Sequence, residues 1–472
     1  MMRAMTSLSV YLLVLSVLSV NCEPIPISSG TTIPIVRRSR DRTGANSEDW
    51  AQRNRNHVIS KYAGGNDRVR RGSGMNLLTN QAVDGDYFGT IAVGTPPIAY
   101  NVILDTGSSD LWIASSSCTI GCTDPEGGVI PTFNSHLSST FKNTGNSFNV
   151  HYGSGAASGV TVQDVVQMAG FQVKNQAFGL CDQVQGILSP PLSGLMGLAW
   201  SGLASQLTTP FWQTLASANA WSEPVMSFQL TRFNNATNVE SLEPGGQFTM
   251  GFLNQSLYTG MIDYQNVPSD RLLYWTIPMT SLTVQGKMIS PSPGEQYAAI
   301  DTGTTLIGGP PDAVSQIYAN IPGSEPGTGG YTGYYLYPCS TKVNVTISFG
   351  GPAWPISSAD FQHAALQDGS GKCIGAFFQI PTGTGVPSWI IGDSFLKNVY
   401  SVFRFSPPSV GFAALSSVAT GMNGVQAPIP TATIGEPGTA VTATGISLRN
   451  DASGPSIGVW SLLPFGSGIE TN

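Results

Sequence analysis

Charge is scarce in this chain. Only 10% of its 472 residues are Asp, Glu, Lys or Arg, against roughly 25% in an average soluble protein. Histidine is scarcer still, with four in all, and no His-Glu-x-x-His occurs, so a zinc hydrolase would lack its helix-borne ligands. The six cysteines fall in no zinc-binding spacing. Long amphipathic periodicities are few, and beyond the first twenty residues no apolar run is long enough to span a bilayer. The end, Gly468 to Asn472, lacks the apolar tail of a GPI signal. What is present instead is 55 glycines and many Val/Ile/Thr/Tyr/Phe runs. These favour an all-β chain, mostly strands with short helices, long enough for two or three domains and a substantial core.

Within this poverty of charge one acidic motif occurs twice. Val102-Ile103-Leu104 leads into Asp105-Thr106-Gly107-Ser108, and Ala298-Ala299-Ile300 leads into Asp301-Thr302-Gly303-Thr304, 196 residues later. Each apolar run reads as a buried strand that delivers a carboxylate onto a turn, where ionisation is costly. A single Asp-Thr-Gly is most simply a strand-to-turn Asp. The second matched feature decides otherwise. Leu195-Met196-Gly197 places its Gly 92 residues after Asp105, and Ile390-Ile391-Gly392 places its Gly 91 after Asp301. The pairing predicts a duplicated lobe, with two carboxylates brought together across a pseudo-twofold axis.

With these motifs, Trp112 and a Tyr152-Gly153-Ser154-Gly155 turn, residues 86–415 closely resemble the pepsin-like aspartic endopeptidases of the secreted fungal type. The resemblance implies a bilobal all-β fold and hydrolysis of peptide bonds by a water that two aspartates activate, with no covalent intermediate, metal or cofactor. Asp105 and Asp301 are then the catalytic pair. One would be ionised and take a proton from water, while the other donates to the scissile carbonyl; the two titrate as a pair. Gly107 and Gly303 let backbone approach the carboxylates, and Ser108 and Thr304 supply hydroxyls to their outer oxygens. Thr106 and Thr302 should lock the two loops together. Asn149 to Gly159 reads as a hairpin 47 residues after Asp105 at its Tyr152, the family's position for a mobile flap. Tyr152 should lie near Trp112. No flap-like hairpin is expected at the same distance after Asp301.

The resemblance also suggests pocket residues. Ile103, Trp112, Tyr152 and Tyr274 match positions beside the scissile bond, which implies cleavage between bulky apolar residues. Relatives that accept Lys carry Asp after the flap Tyr-Gly; Ser154 here predicts weak cleavage after Lys. Ser193-Gly194 departs from the family's Asp-Gly before the first apolar-apolar-Gly element. Family positions pair Cys118 with Cys122 and Cys339 with Cys373, leaving Cys181 as a buried thiol or an intermolecular partner.

The flanks are different in kind. Residues 1–22 read as a signal peptide, the apolar stretch Leu8 to Val20 being short for a membrane anchor, which is the alternative. Residues 23–71 carry net charge +5, and the chain from Gly72 carries −13. A basic segment before an acidic body suits an inhibitory propeptide released when acid protonates the body's carboxylates. A solvated basic tail is the alternative. Arg70-Arg71 is a dibasic processing site in form, and Lys61-Tyr62 resembles the family's inhibitory Lys-Tyr pair. Residues 72–260 should form the first lobe and 261–415 the second, with a short helix from Pro310 to Tyr318. Residues 416–472, rich in Gly, Pro, Ser and Thr, read as a disordered or O-glycosylated tail. Its Gly454-Pro455-Ser456-Ile457-Gly458 has the letters of a serine-nucleophile elbow without the strand and helix that elbow needs. Asn235, Asn254 and Asn344 stand in N-glycosylation triplets.

Together these features point to a secreted, acid-active monomeric endopeptidase made as a zymogen, with protein and peptide substrates and its own propeptide as inhibitor. Nucleic-acid binding is disfavoured by the acidic body, and no membrane span is expected. The alternative from another class is a catalytically silent binder on the same fold. Silent relatives lose a catalytic Asp or the flap Tyr, and this chain keeps all three.

Overall fold

A computed structural model describes residues 71–123, 128–205, 208–381, 387–431, 434–435 and 437–443. The expected signal peptide, all but the last residue of the expected prosegment, and the Gly454–Gly458 elbow lie outside these residues.

The first half runs β1 (Gly74–Gln81), β2 (Asp86–Val93), β3 (Ile98–Asp105), β4 (Leu111–Ala114), β5 (Lys142–His151), β6 (Ala156–Met168), β7 (Phe171–Gln185) and β8 (Leu192–Gly197). Helix α1 (Phe211–Ser217), β9 (Val225–Leu230), β10 (Leu242–Met250) and β11 (Tyr258–Asn266) complete it. The second half opens with β12 (Thr276–Pro278), β13 (Ser281–Val284), β14 (Lys287–Ile289), β15 (Tyr297–Ile300), β16 (Ile307–Gly309) and α2 (Pro311–Ala319). Then come β17 (Glu325–Pro326), β18 (Tyr335–Pro338), β19 (Val345–Ser348), β20 (Ala353–Ile356), α3 (Ser358–Phe361), β21 (Gln362–Ala365) and β22 (Lys372–Gly375). Last are β23 (Phe377–Gln379), β24 (Trp389–Ile391), α4 (Asp393–Leu396), β25 (Val399–Arg404), β26 (Ser409–Leu415), α5 (Ser417–Thr420) and β27 (Thr439–Thr442).

The duplication read from the motifs is a duplication of strand pairing. Strand β3 pairs parallel with β8, which pairs antiparallel with β4, which pairs parallel with β7. Strand β15 repeats this with β24, β16 and β23. Each apolar-apolar-Gly element is thus the parallel partner of the strand that carries the Asp. These strands are buried on both faces, which is why they read as unbroken apolar runs rather than alternating ones. Their two faces nevertheless serve different cores. Val102 and Leu104 enter the main core, while Ile103 joins Phe88, Trp112, Phe148 and Tyr152 in a separate cluster. Likewise Ala298 and Ile300 face the main core, and Ala299 joins Tyr274, Ala199 and Leu203. Side chains at i and i+2 share a face of a strand. Asp105 therefore emerges on the Trp112–Tyr152 side and Asp301 on the Tyr274 side.

The helix expected from Pro310 to Tyr318 is α2, shifted by one residue. Proline at its first position starts it, Asp312 suits its N-terminus, and Ala313, Val314, Ile317 and Tyr318 are buried.

Three expectations need correction. The lobe boundary at 260/261 falls inside β11, which pairs with β26, while β25 pairs with β9. The last strands thus return to a sheet shared with the first half, where the register of β25 with β9 packs Phe403 against Phe228. A hairpin does follow Asp301 at about the flap's spacing. It is β19–β20, which stacks on β13, and Phe349 of its turn packs against Phe395 and Phe412. Phe349 anchors that turn to the core, while Gly350, Gly351 and Pro352 are exposed. Residues 416–443 are not a disordered tail where they are described. Ser416 caps α5, and β27 adds a parallel strand to β7, pairing Thr439 with Phe171 and Thr442 with Lys174. Val441 is buried there, so one apolar residue in a Thr/Ala-rich stretch is enough to dock a strand on an open sheet edge.

Candidate active site

The two Asp-Thr-Gly turns meet at the end of β3 and β15, and four hydrogen bonds cross between them. Thr106 Oγ1 donates to the Ile300 carbonyl at 2.8 Å, and the Thr302 N–H donates to Thr106 Oγ1 at 3.0 Å. Symmetrically, Thr302 Oγ1 donates to the Leu104 carbonyl at 2.6 Å and accepts from the Thr106 N–H at 3.1 Å. Each hydroxyl acts once as donor and once as acceptor. A Val of the same shape could not replace it. The inward lock expected of Thr106 and Thr302 is the arrangement found.

Each carboxylate is bound in the same way within its own turn. The Gly107 N–H donates to Asp105 Oδ1 at 2.7 Å, and Ser108 Oγ bonds Asp105 Oδ2. The Gly303 N–H donates to Asp301 Oδ1 at 2.9 Å, and Thr304 Oγ1 bonds Asp301 Oδ2 at 2.7 Å. The glycines are required by the neighbour across the axis. A Cβ on Gly107 would lie 2.4 Å from the Asp301 carboxyl, and one on Gly303 2.3 Å from that of Asp105. Both aspartates are buried. Burial, the charge of Asp105 and a hydrogen bond with Asp105 together drive the Asp301 carboxyl well above the usual range.

The β5–β6 hairpin ends in Tyr152–Gly155, closed by the Tyr152 N–H donating to the Gly155 carbonyl at 2.7 Å. Tyr152 is buried beside Trp112, whose Nε1–H donates to the Tyr152 hydroxyl at 2.8 Å. Burial, with Asp110 and Asp105 nearby, keeps that phenol protonated. Gly153 is exposed at the turn, and the Ser154 hydroxyl is buried without a hydrogen-bond partner among the described residues. Ile103 lies in the apolar cluster with Trp112 and Tyr152. Burial raises the Tyr274 phenol, and so do Asp301 and Asp105, which places it within electrostatic reach of both carboxyls. The departure at Ser193 has a structural counterpart: its hydroxyl is buried and unpartnered among the described residues.

Sequence reasoning missed the charged groups behind the site. Lys397 is buried and bridges Asp84 at 2.8 Å and Asp360 at 2.9 Å. Arg232 pairs with the same Asp360 at 2.5 Å. Burial opposes ionisation of Asp360, yet Lys397 and Arg232 hold its carboxyl below the usual range. Asp393, on α4 directly after the second apolar-apolar-Gly element, is driven up by burial and by Asp301, Asp86 and Asp84, although Lys397 opposes this. Burial raises Asp86 to about 7. Burial also raises Asp110 to about 6, against hydrogen bonds from Ser205. The available signal was the rarity of charge itself: an acid or Lys inside an apolar stretch, as in Gly392-Asp393-Ser394-Phe395-Leu396-Lys397, had to be buried with partners. Both expected disulfides, Cys118–Cys122 and Cys339–Cys373, are present, and Cys181 is a buried free thiol.

Two buried, mutually hydrogen-bonded carboxyls thus stand where the two like strand arrangements meet. The eukaryotic aspartyl protease family model matches residues 86–415. Major aspartyl peptidase 1 of Cryptococcus neoformans var. grubii is 42% identical over 365 residues, 75% of this chain and 74% of that protein. Cathepsin D of Canis lupus familiaris is 34% identical over 426 residues, 86% of this chain and 98% of that protein. An aspartic protease of Phaffia rhodozyma is 32% identical over 397 residues, 82% and 90% of the two chains. The chain belongs to the eukaryotic aspartyl protease family and is an aspartic-type endopeptidase with the bilobal pepsin-like fold.

Proposed function

We propose that this endopeptidase is secreted as a zymogen and hydrolyses peptide bonds at acid pH with Asp105 and Asp301 as its catalytic pair. The observation that carries this is the closed threonine lock around two carboxyls of which Asp301 is driven to retain its proton. In the proposed cycle a water bound between the pair attacks the scissile carbonyl carbon. The Asp105 carboxylate takes a proton from that water, and Asp301 gives its proton to the carbonyl oxygen, forming a gem-diol. The C–N bond then breaks as Asp105 returns its proton to the leaving nitrogen and Asp301 takes one from a diol hydroxyl. Both groups end as they began.

The flap Tyr152, with Gly153 and Ser154 at the turn, would close over the peptide and exclude water. Apolar surfaces around Ile103, Trp112 and Tyr274 support a preference for bulky apolar residues beside the cleaved bond. Residues 1–22 would direct secretion and 23–71 would act as the inhibitory prosegment. The two lobes would be built on the shared sheet within residues 72–415. Asn235 and Asn344 are exposed and open to glycosylation. Asn254 is half-buried, and its amide bonds Gln247 at 3.3 Å, which disfavours occupancy there.

The test is hydrolysis of a denatured protein between pH 2.5 and 7 after acid incubation, with and without pepstatin, following the prosegment on the same gels. The proposal expects activity confined to acid pH, blocked by pepstatin and accompanied by loss of the prosegment. Processed protein that cleaves nothing would favour the silent binder instead.

A further inference from the structure

A half-open cavity of about 410 Å³ lies between the second half and the strap that follows β26. Its walls include Arg232, Trp354, Pro352, Pro355, Ser357 and Asn423, and none of its lining residues belongs to the Asp-Thr-Gly turns or the flap. Cavities that hold small ligands are of this size, mostly apolar with a few convergent polar groups. The strap builds one wall: Asn423 Oδ1 accepts from the Arg232 N–H at 2.9 Å, and the Gly424 N–H donates to the Arg232 carbonyl at 2.8 Å.

The polar groups left over are of one kind. Arg232 commits Nε and Nη2 to Asp360 and Nη2 also to Asn398, but its Nη1 makes no hydrogen bond among the described residues. Asn423 uses its oxygen and not its amide N–H groups. Ser357 Oγ accepts from the Ala359 N–H, which leaves its own proton to donate. The Trp354 indole N–H is buried and has no partner among the described residues. All four are donors, and the Trp354 N–H is fully buried, where a donor without an acceptor is destabilising. The acceptors beside them are already engaged: the Asp360 carboxylate with Arg232, Lys397 and Asn398, and Asn398 Oδ1 with Arg232 and the Ser357 N–H. Around these donors stand an indole and two proline rings.

We infer that this cavity is a second binding site, for a monocarboxylate on an apolar body. The donors would hold the carboxylate oxygens, and the rings would cover the apolar part. Because Asp360 already balances Arg232, a dianion would find too little positive charge. The free C-terminal end of a short apolar peptide has the required chemistry, as does an aromatic acid.

The probe is N-acetyl-L-phenylalanine, titrated calorimetrically at pH 5.5 into mature enzyme whose cleft is filled with pepstatin. Its amide and inorganic phosphate are the controls. Saturable one-to-one binding is expected, at least about tenfold tighter for the acid than for the amide, the share of a hydrogen bond to a charged group. Asn423→Asp keeps the acceptor for the Arg232 N–H but replaces the amide donor with a charge. It should weaken the acid at least about tenfold while leaving peptide hydrolysis unchanged. Trp354→Phe keeps a ring, leaves the strap contacts alone and should weaken binding severalfold; it carries the test if Asn423→Asp proves unstable. Equal binding of acid and amide, phosphate binding as tightly as the acid, undiminished binding by both variants, or no saturation would each overturn the proposal. Failure of pepstatin to bind would count against the catalytic pair instead, since the cavity uses neither aspartate.

Discussion

Thr302→Val tests whether the two turns are one device. The substitution keeps shape and burial but removes the hydroxyl that donates to the Leu104 carbonyl and accepts from the Thr106 N–H. Both backbone groups would be left buried and unpaired, at roughly 1–3 kcal/mol each, so about 2–6 kcal/mol in all. At roughly 1.4 °C per kcal/mol for a body of this length, the melting temperature should fall by at least about 3 °C. The loss should also reach the chemistry, because Leu104 is joined to Asp105, and displacement of a catalytic group by about 1 Å can lower a rate by up to two orders of magnitude. Thr106→Val should behave alike, since its bonds to Ile300 and Thr302 mirror the first pair and share no bond with it. Thr302→Ser, which keeps the hydroxyl, should retain most of the stability. The assay is calorimetric melting near pH 6, where autolysis is slow, paired with kcat at pH 4. A shift below about 1 °C in either Val variant, or a kcat within twofold of wild type, would refute the reasoning.

Other perturbations give separate checks. Folding raises the carboxyls of Asp86 to about 7 and Asp110 to about 6. The folded chain then binds more protons than the unfolded one above pH about 4, so stability is full below that and declines as pH rises through 6 to 7. Melting temperature should therefore fall from pH 4 to pH 7, and Asp110→Asn should flatten part of the decline; a rise would contradict the assignment. Tyr152→Phe removes the acceptor of the Trp112 N–H, and kcat/KM on a bulky apolar peptide should drop about tenfold, as for the loss of one buried hydrogen bond; an unchanged value would detach Tyr152 from the flap's function. Cys181, buried and with burial pushing its thiol up, should resist a thiol reagent in the native protein and give one thiol per chain starting at Gly72 on unfolding.

The catalytic half of this structure was legible because it is local. An apolar run, an Asp, a Thr and a Gly are adjacent in sequence, and the duplicate lies at nearly matched spacing, so the paired loops followed from two short motifs, while their threonine lock was implied by the family resemblance. The parallel partners β8 and β24 were visible as apolar-apolar-Gly elements for the same reason. What escaped is held together over long separations. Lys397 meets Asp84 across 313 residues, and no local pattern announces such a pair. The return of β25 to β9 is equally silent in sequence, since an apolar strand does not say which edge it will join. The strap was misjudged from composition. Gly, Pro and Thr predict a poor core, but β27 needs no core of its own when β7 offers an edge and a pocket for Val441.

The central claim is that Asp105 and Asp301 act as one unit that holds a single proton. It is tested most directly by hydrolysis of one defined apolar peptide from pH 2.5 to 7 with wild type, Asp105→Asn and Asp301→Asn, each checked for folding by its melting curve. Loss of at least about 10³-fold in kcat for either variant is expected, in line with removal of one member of a group that acts as a unit. Wild type should be active only at acid pH. A folded variant at either position that retains a tenth or more of wild-type activity would contradict the account.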